Sequence, residues 1–198
     1  MGADDECIDF AHREEIRERI RNEFGFKDDT FVIVTGGKIE RNKNIELLVQ
    51  ACEKLNRNVQ LIVFGSIAPD FKTEFENFLE KSPKTHYIGW IDASKVYDYF
   101  FASDLVVFPG RHSVLWEQAC ASKVPCVFKH YKGMEHVDNG GNSLLIDAVS
   151  IDALAQLISK LTFTEQYYQM KMVAESEKTD IYMYSRIAAK SLECALNR

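Results

Sequence analysis

The chain has 198 residues, 46% of them hydrophobic, which is long enough for one domain with a sizeable buried core. Its formal charge of −6 is spread along the sequence, which argues against a nucleic-acid partner. The sequence shows neither an apolar run of membrane-spanning length nor a signal peptide, so we expect any membrane contact to be peripheral.

The cysteines indicate neither a metal site nor a disulfide framework. They show no metal-ligand spacing, and their odd number argues against complete pairing. We therefore predict free thiols, no bound metal and a cytoplasmic location. The cysteines are Cys7, Cys52, Cys120, Cys126 and Cys194.

In chain order, a helix comes first and strands then alternate with helices. The first helix, 13–24, carries Ile16, Ile20 and Phe24 at intervals of four and stops before Gly25. Asp92 and Ser150 are the expected N-caps of two later helices. This alternation predicts an α/β fold, a doubly wound parallel sheet of about six strands with helices on both faces. The predicted strands are 31–35, 59–64, 86–89, 104–108, 125–128 and 144–146. The predicted helices are 45–55, 71–79, 93–102 and 114–122, which lie between strands, and 151–161, which follows the last strand.

Beyond residue 162 the alternation stops, and two further helices are predicted at 164–176 and 181–196. This tail is rich in tyrosine and methionine. One interpretation is a helix pair that covers a face of the sheet. The other is a surface that contacts another domain or chain.

The segment TGGKIERNKN, which follows the first strand, is the first candidate binding loop. Gly37 and the glycine before it permit a close backbone approach. Lys38, Arg41 and Lys43 place cationic groups beside the start of the next helix, so the segment could cradle a diphosphate. The segment is neither a Walker loop nor a GxGxxG fingerprint, and a solvated turn with incidental lysines is the alternative.

Two further candidates follow the second and third strands. Gly65 ends the second strand, where it either closes a turn or lines a ligand site in a minor way. Trp90 follows a glycine at the end of the third strand. It either borders the pocket of a nucleotide base or packs against the protein.

The stretch from 108 to 146 is the most informative, because it places a loop and a helix start at the carboxyl edge of the sheet. Open α/β folds bind ligands at that edge. Glu117, in the first turns of this helix, could accept two hydrogen bonds from a ribose diol. The alternative is a solvated helix glutamate. His112, Ser113 and Val114 lead into the helix, where the serine could simply be an N-cap. Glu135 follows in a loop as a further candidate for binding the ligand, with an exposed acid as its alternative.

The order of these segments resembles the C-terminal half of a GT-B-type, retaining glycosyltransferase of group 1. The resemblance covers nearly the whole chain. Its motifs are GADDECIDF at the entry to the domain, GGKIERNKN (family pattern GRL…KG), LIVFGS, YIGWIDASKVYDYFFASDLVVFPG, WEQACASKVPCVF (lEAma.G.PVi), GMEHVDNGGNSLLI and MYSRIAAKSL.

The resemblance implies that residues 1–198 are a single Rossmann-like domain, the donor-binding half of a GT-B fold. Residues 1–12 would be an interdomain segment, and 163–198 would be closing helices. An N-terminal acceptor domain would be absent. The ligand would be a sugar linked to UDP or GDP, with neither a metal nor another cofactor.

The resemblance also assigns roles to the candidate residues. Lys38 and Lys43 would bind the donor diphosphate, together with amides at the start of the helix, and Glu117 would bind the ribose. The family usually has a pair of glutamates with seven residues between them, and the place of the first is taken by Pro109. His112, Ser113 or loop amides would then contact the sugar.

The activity implied is transfer of a sugar to a hydroxyl with retention of anomeric configuration, of hexosyltransferase type, in cell-surface glycan synthesis. Without an acceptor half, we expect the isolated chain to be inactive. The alternatives are half of a nucleotide-sugar epimerase and a non-catalytic, nucleotide-free interaction domain.

Overall fold

A parallel sheet forms the centre of the structure, a computed structural model that describes residues 2–196 apart from the side chain of Cys194. The predicted segments 1–12 and 163–198 also include Met1, Asn197 and Arg198, which lie outside the described residues. Within 2–196, none of the helices combines the length and the hydropathy that crossing a membrane requires.

The sheet has six strands in the order β3-β2-β1-β4-β5-β6, and every neighbouring pair is parallel. This confirms the predicted doubly wound sheet. The strand order reverses between β1 and β4, and a crevice opens at such a point at the carboxyl ends of the strands. The strands are β1 (Phe31–Gly36), β2 (Val59–Phe64), β3 (Thr85–Tyr87), β4 (Leu105–Phe108), β5 (Cys126–Lys129) and β6 (Ser143–Ile146).

The helices pack on both faces of the sheet because successive strand residues point to opposite sides. In β1, Val32 and Val34 join one core cluster, whereas Phe31 and Ile33 join the other. Helices α1, α4 and α5 contribute to the first cluster, and α2, α3, α6 and α7 contribute to the second. The helices are α1 (Arg13–Glu23), α2 (Ile45–Glu53), α3 (Lys72–Glu80), α4 (Val96–Ala102), α5 (Leu115–Ala121), α6 (Ile151–Leu161), α7 (Glu165–Ala174) and α8 (Tyr184–Leu196).

The two predicted helix caps have different outcomes. Ser150 Oγ accepts the backbone N–H of Ala153 at 3.2 Å, as expected for the N-cap of α6. Asp92 occupies the predicted N-cap position, but its side chain makes no capping bond. The segment begins with a 3-10 turn in which the N–H of Lys95 donates to the backbone carbonyl of Asp92.

A buried carboxylate joins α1 to the sheet. Asp104 is 5% exposed, and its Oδ1 lies 2.6 Å from Arg17 Nη2 while its Oδ2 lies 3.1 Å from Arg21 Nη1. The same Oδ2 accepts the backbone N–H of Val32 in β1 at 2.8 Å. One side chain, immediately before β4, therefore fixes a helix and a neighbouring strand.

The first and last described segments pair with each other. The N–H of Ala3 donates to the carbonyl of Tyr182, and the N–H of Tyr184 donates to the carbonyl of Ala3, each at 2.8 Å. In α7, Tyr167 and Met170 are buried, as the covering interpretation of the tail predicts. Helix α8 instead leaves a set of large apolar side chains exposed, namely Tyr184, Ile187, Leu192 and Leu196.

We expect Asp104→Ala to lower the free energy of unfolding by about 3–5 kcal/mol, because it leaves the buried Arg21 guanidinium without its counter-charge. Urea unfolding followed by circular dichroism measures this. Asp152→Ala is the matched control, because Asp152 pairs with Lys54 at 2.7 Å but its side chain is 74% exposed. That change should cost less than about 1 kcal/mol. Equal effects of the two substitutions would contradict the role given to Asp104.

Candidate functional site

Loops from the carboxyl ends of β1, β2 and β3 press closely together. Gly37 and Gly65 have φ values of +101° and +121°, which favour glycine. A Cβ on Gly65 would lie only 1.8 Å from the carbonyl oxygen of Gly37. The N–H of Gly65 also donates to the carbonyl of Gly89 at 2.6 Å. Gly65 thus does more than close a turn, since it allows two of the loops to touch.

A cavity of about 520 Å³ opens beside these loops. We call it the β2–β3 pocket. Trp90 is 68% exposed at its rim, so its side chain is available to a ligand rather than packed in the core. Lys38 also lines the pocket, but its Nζ forms an exposed ion pair with Glu40 at 2.9 Å. The lining residues are Gly37, Lys38, Phe64, Gly65, Ser66, Trp90, Ile91, Ala93, Val96 and Leu115.

Lys43 braces the loop that follows β4. Its Nζ donates to the carbonyl oxygens of Arg111 and His112 at 2.6 and 3.3 Å, and partial burial lowers its pKa. An ammonium has three N–H donors, so one remains for a ligand. Asn44 donates in the same way to the carbonyl of Pro109 at 3.0 Å. A Cβ on Gly110 would come within 2.3 Å of the Lys43 backbone, which leaves no space between the two loops.

Glu117 lies at the start of α5 and is 1% exposed, so the alternative of a solvated glutamate is wrong. Its Oε1 is 3.0 Å from the Nε2 atoms of both His112 and His136. Its Oε2 is 3.2 Å from His112. Two imidazoles from two different loops therefore meet on one buried carboxylate. The side chain of His136 is 49% exposed, so only a modest rearrangement would open the carboxylate to a ligand.

Aromatic packing supports the His112 ring in this group of Glu117, His112 and His136, which we call the Glu117 cluster. The indole of Trp116 stacks on Phe128 with ring centroids 4.6 Å apart, and the His112 ring meets the indole edge-on at 4.9 Å. Ser113 does not cap the helix. Val114 is the N-cap residue of α5, and it makes no side-chain capping bond.

Glu135 lies apart from the Glu117 cluster. Its Oε2 accepts the N–H of Gly133 at 2.8 Å, and its Oε1 is 3.4 Å from Nε2 of His130. Asp147 and then Glu135 raise the pKa of His130. The carboxylate thus stabilises its own exposed loop, in agreement with the alternative of an exposed acid.

A second cavity, of about 560 Å³, lies between the β4 and β5 loops. We call it the β4–β5 pocket. Its walls come from three loops and share His112 with the Glu117 cluster. The lining residues are Asn42, Arg111, His112, Tyr131 and Met134.

Sequence reasoning missed several members of the site. In the sequence, His136 directly follows the candidate Glu135. Only the fold shows that His136, and not Glu135, contacts Glu117. Gly110 follows Pro109, and such a Pro-Gly pair in the sequence indicates a turn. Its close approach to Lys43, however, depends on the strand order. Among residues 2–196, we find no group of three or more His, Cys, Asp or Glu side chains with the geometry of a metal site.

A family model described as glycosyl transferases group 1 matches residues 16–179 of the chain. Among curated proteins, the chain is 30% identical over 156 residues to TuaC of Bacillus subtilis (strain 168), whose name assigns it provisionally to teichuronic acid biosynthesis as a glycosyltransferase. The match covers 76% of this chain and 38% of TuaC, so the chain spans well under half of that relative's length.

Solved structures of similar fold include Anabaena HepE in complex with UDP-glucose. It superposes with a TM-score of 0.79 at 16% identity, over 100% of this chain and 56% of HepE. Another is the C-terminal domain of LpcC, a glycosyl transferase group 1 family protein from Francisella tularensis. It gives a TM-score of 0.70 at 18% identity and covers 91% of this chain and 96% of that domain.

We expect Gly65→Ala to destabilise the protein by more than the about 1–2 kcal/mol that a left-handed backbone costs, because its Cβ would also clash with the Gly37 carbonyl. Gly133→Ala is the matched control. Gly133 has a φ of +89° but nothing within 4 Å of an added Cβ. Thermal and urea unfolding of the two variants measure the difference. A Gly65 variant as stable as the Gly133 variant would show that the loop contact is dispensable.

Proposed function

Because the chain belongs to the glycosyl transferases group 1 family, we propose that it is the donor-binding half of a retaining glycosyltransferase whose donor is a nucleotide-diphospho-sugar. One observation carries this proposal. At the carboxyl end of the sheet, the β1 loop carries an ammonium, the start of α5 carries a buried carboxylate and the β3 loop carries an exposed indole. These groups suit a diphosphate, a ribose and a base, respectively. They belong to Lys43, Glu117 and Trp90.

The diphosphate is proposed to lie beside Lys43. In a transfer that breaks the bond between sugar and phosphate, negative charge grows on the leaving phosphate. A fixed cation in a partly buried site stabilises that charge with little reorganisation. The Lys43 ammonium is already held by two carbonyl oxygens and has one donor left. Lys38 would add a more exposed positive charge after leaving Glu40, and no metal is invoked.

The ribose diol is proposed to donate to Glu117. Its carboxylate is occupied by His112 and His136, so a diol must share it with them or displace one. His136 is the one to move, because its side chain is 49% exposed whereas that of His112 is 13% exposed. Holding the ribose would orient the leaving diphosphate toward Lys43.

The base is proposed to enter the β2–β3 pocket, against Trp90. Aromatic side chains offer a flat apolar surface on which a base can stack. Because the HepE structure was determined with UDP-glucose, UDP is the first nucleotide to test, and GDP is the second.

The acceptor is proposed to bind to a further domain. The chain covers 38% of TuaC and 56% of HepE, so more than half of TuaC and a little under half of HepE lie outside the matched part. The exposed apolar side chains of α8, such as Leu192 and Leu196, would pack against that domain. The name of TuaC supports a role in cell-surface glycan synthesis. The family assignment favours this function over the epimerase alternative.

We expect the chain to bind one of UDP, GDP and ADP, and Lys43→Ala to weaken that binding by about ten- to a hundredfold, as for loss of a hydrogen bond to a charged group. Isothermal titration calorimetry measures the affinities. Lys54→Ala, which removes an exposed lysine paired with Asp152, is the control and should change nothing. Failure to bind any of the three would favour the nucleotide-free interaction domain.

The role of Glu117 is tested with a modified nucleotide. Glu117→Gln should weaken binding of the preferred diphosphate but leave the affinity for its 2′,3′-dideoxy analogue nearly unchanged, because the analogue lacks both hydroxyls that the carboxylate accepts. Equal loss for both nucleotides would indicate a general disturbance of the site and would remove the ribose assignment.

We expect the isolated chain to bind donor without transferring its sugar. A single-turnover assay with labelled UDP-glucose and a panel of hydroxyl acceptors measures this. Circular dichroism confirms that the tested protein is folded. Rapid, complete transfer by this chain alone would overturn the assignment of the acceptor site to another domain.

A further inference from the structure

We propose that the β4–β5 pocket recognises an acidic group on the donor sugar, the carboxylate of a uronic acid, and that Arg111 binds it. This inference rests on the proposed function, because it assigns the sugar of the same donor. It goes further by naming the class of sugar.

The pocket has the composition of an anion site. Its lining side chains are an amide, a guanidinium, an imidazole, a phenol and a thioether, and none of these five residues is acidic. Its volume of about 560 Å³ lies within the range of small-molecule sites, which is about 300–1,000 Å³. Tyr131 is 39% exposed there and offers a flat apolar ring beside the polar groups.

Arg111 has a fixed backbone and an unused side chain. Its N–H donates to the carbonyl of Asn42 at 2.9 Å, and its carbonyl accepts from Lys43 at 2.6 Å. The guanidinium has no hydrogen-bond or ion-pair partner among the residues that the structure describes. By contrast, Arg17, Arg21 and Arg41 each pair with a carboxylate. A planar guanidinium suits the two-pronged binding of a carboxylate.

The nearest acids are engaged elsewhere. Glu117 lies beneath His112 and accepts from two imidazoles. Glu135 accepts the N–H of Gly133 and contacts His130. Neither carboxylate lines the pocket, and Pro109 at the start of the β4 loop brings no charge. Glu40 contacts the side chain of Asn42, one of the lining residues, but it is paired with Lys38 at 2.9 Å. A negative sugar would therefore meet Arg111 without an unpaired carboxylate among the lining residues.

The location fits a donor sugar. Lys43, the proposed diphosphate ligand, donates to the carbonyls of Arg111 and His112, and these two residues form one wall of the pocket. A sugar attached to a diphosphate at Lys43 would extend into this cavity. Arg111 would then contact a substituent of the sugar and not the phosphates.

The test is calorimetric titration of the chain with UDP, UDP-glucose and UDP-glucuronic acid, and in parallel with GDP, GDP-mannose and GDP-mannuronic acid. We expect one uronic acid donor to bind about tenfold or more tightly than its neutral counterpart.

Arg111→Ala should abolish this preference and leave the affinity for the nucleotide without sugar unchanged. Arg111→Lys should retain part of the preference, because it keeps the charge but loses the planar guanidinium that can bind a carboxylate with two hydrogen bonds. Arg19→Ala, which removes an exposed arginine paired with Glu23, is the control.

Equal affinity of the unaltered chain for acidic and neutral donors would overturn the inference while leaving the proposed function intact. An equal loss of affinity for UDP or GDP in Arg111→Ala would place Arg111 on the diphosphate and also overturn it. If neither series binds, the inference fails, and if ADP does not bind either, the proposed function fails with it.

Discussion

The contact between the β1 and β4 loops is the constraint on which the candidate site depends. Gly110 lies so close to Lys43 that a Cβ there would come within 2.3 Å of the Lys43 backbone. Lys43 and Asn44 then satisfy carbonyl groups of the β4 loop. This contact crosses the point where the strand order reverses, so it fixes an ammonium on one side and the start of α5 on the other. Without this contact, the separation of the β1 and β4 loops would not be fixed.

Two buried carboxylates stand at opposite ends of β4 and differ in how they are satisfied. Asp104, before the strand, accepts from two arginines and a backbone N–H, and its partners tie α1 to the sheet. Glu117, after the strand, accepts from two histidines, one of which is half exposed. Arginine keeps its charge at all physiological pH values, whereas an imidazole is more easily displaced. The first carboxylate is therefore structural, and the partners of the second are compatible with the ligand role proposed for it.

The sequence predicted the sheet well because its signal is local. Periodic apolar residues and flanking glycines placed all six strands near their observed bounds, and Ser150 capped α6 as expected. Contacts between distant segments were beyond such reasoning. Nothing local shows that Asp104 meets Arg21, 83 positions away, or that His136 reaches Glu117. Asp92 occupies the N-cap position, as predicted, but its side chain makes no capping bond there.

The pairing of Ala3 with Met183 has a mechanical consequence. Two hydrogen bonds, from Ala3 to Tyr182 and from Tyr184 to Ala3, hold the first described segment beside the start of α8. One opening event would break both bonds, so the amide protons of Ala3 and Tyr184 should have the same protection against exchange with solvent. Asp5 adds to this link, because its carboxylate accepts from the N–H and the hydroxyl of Ser185. A domain joined through either segment would therefore pull on both segments together.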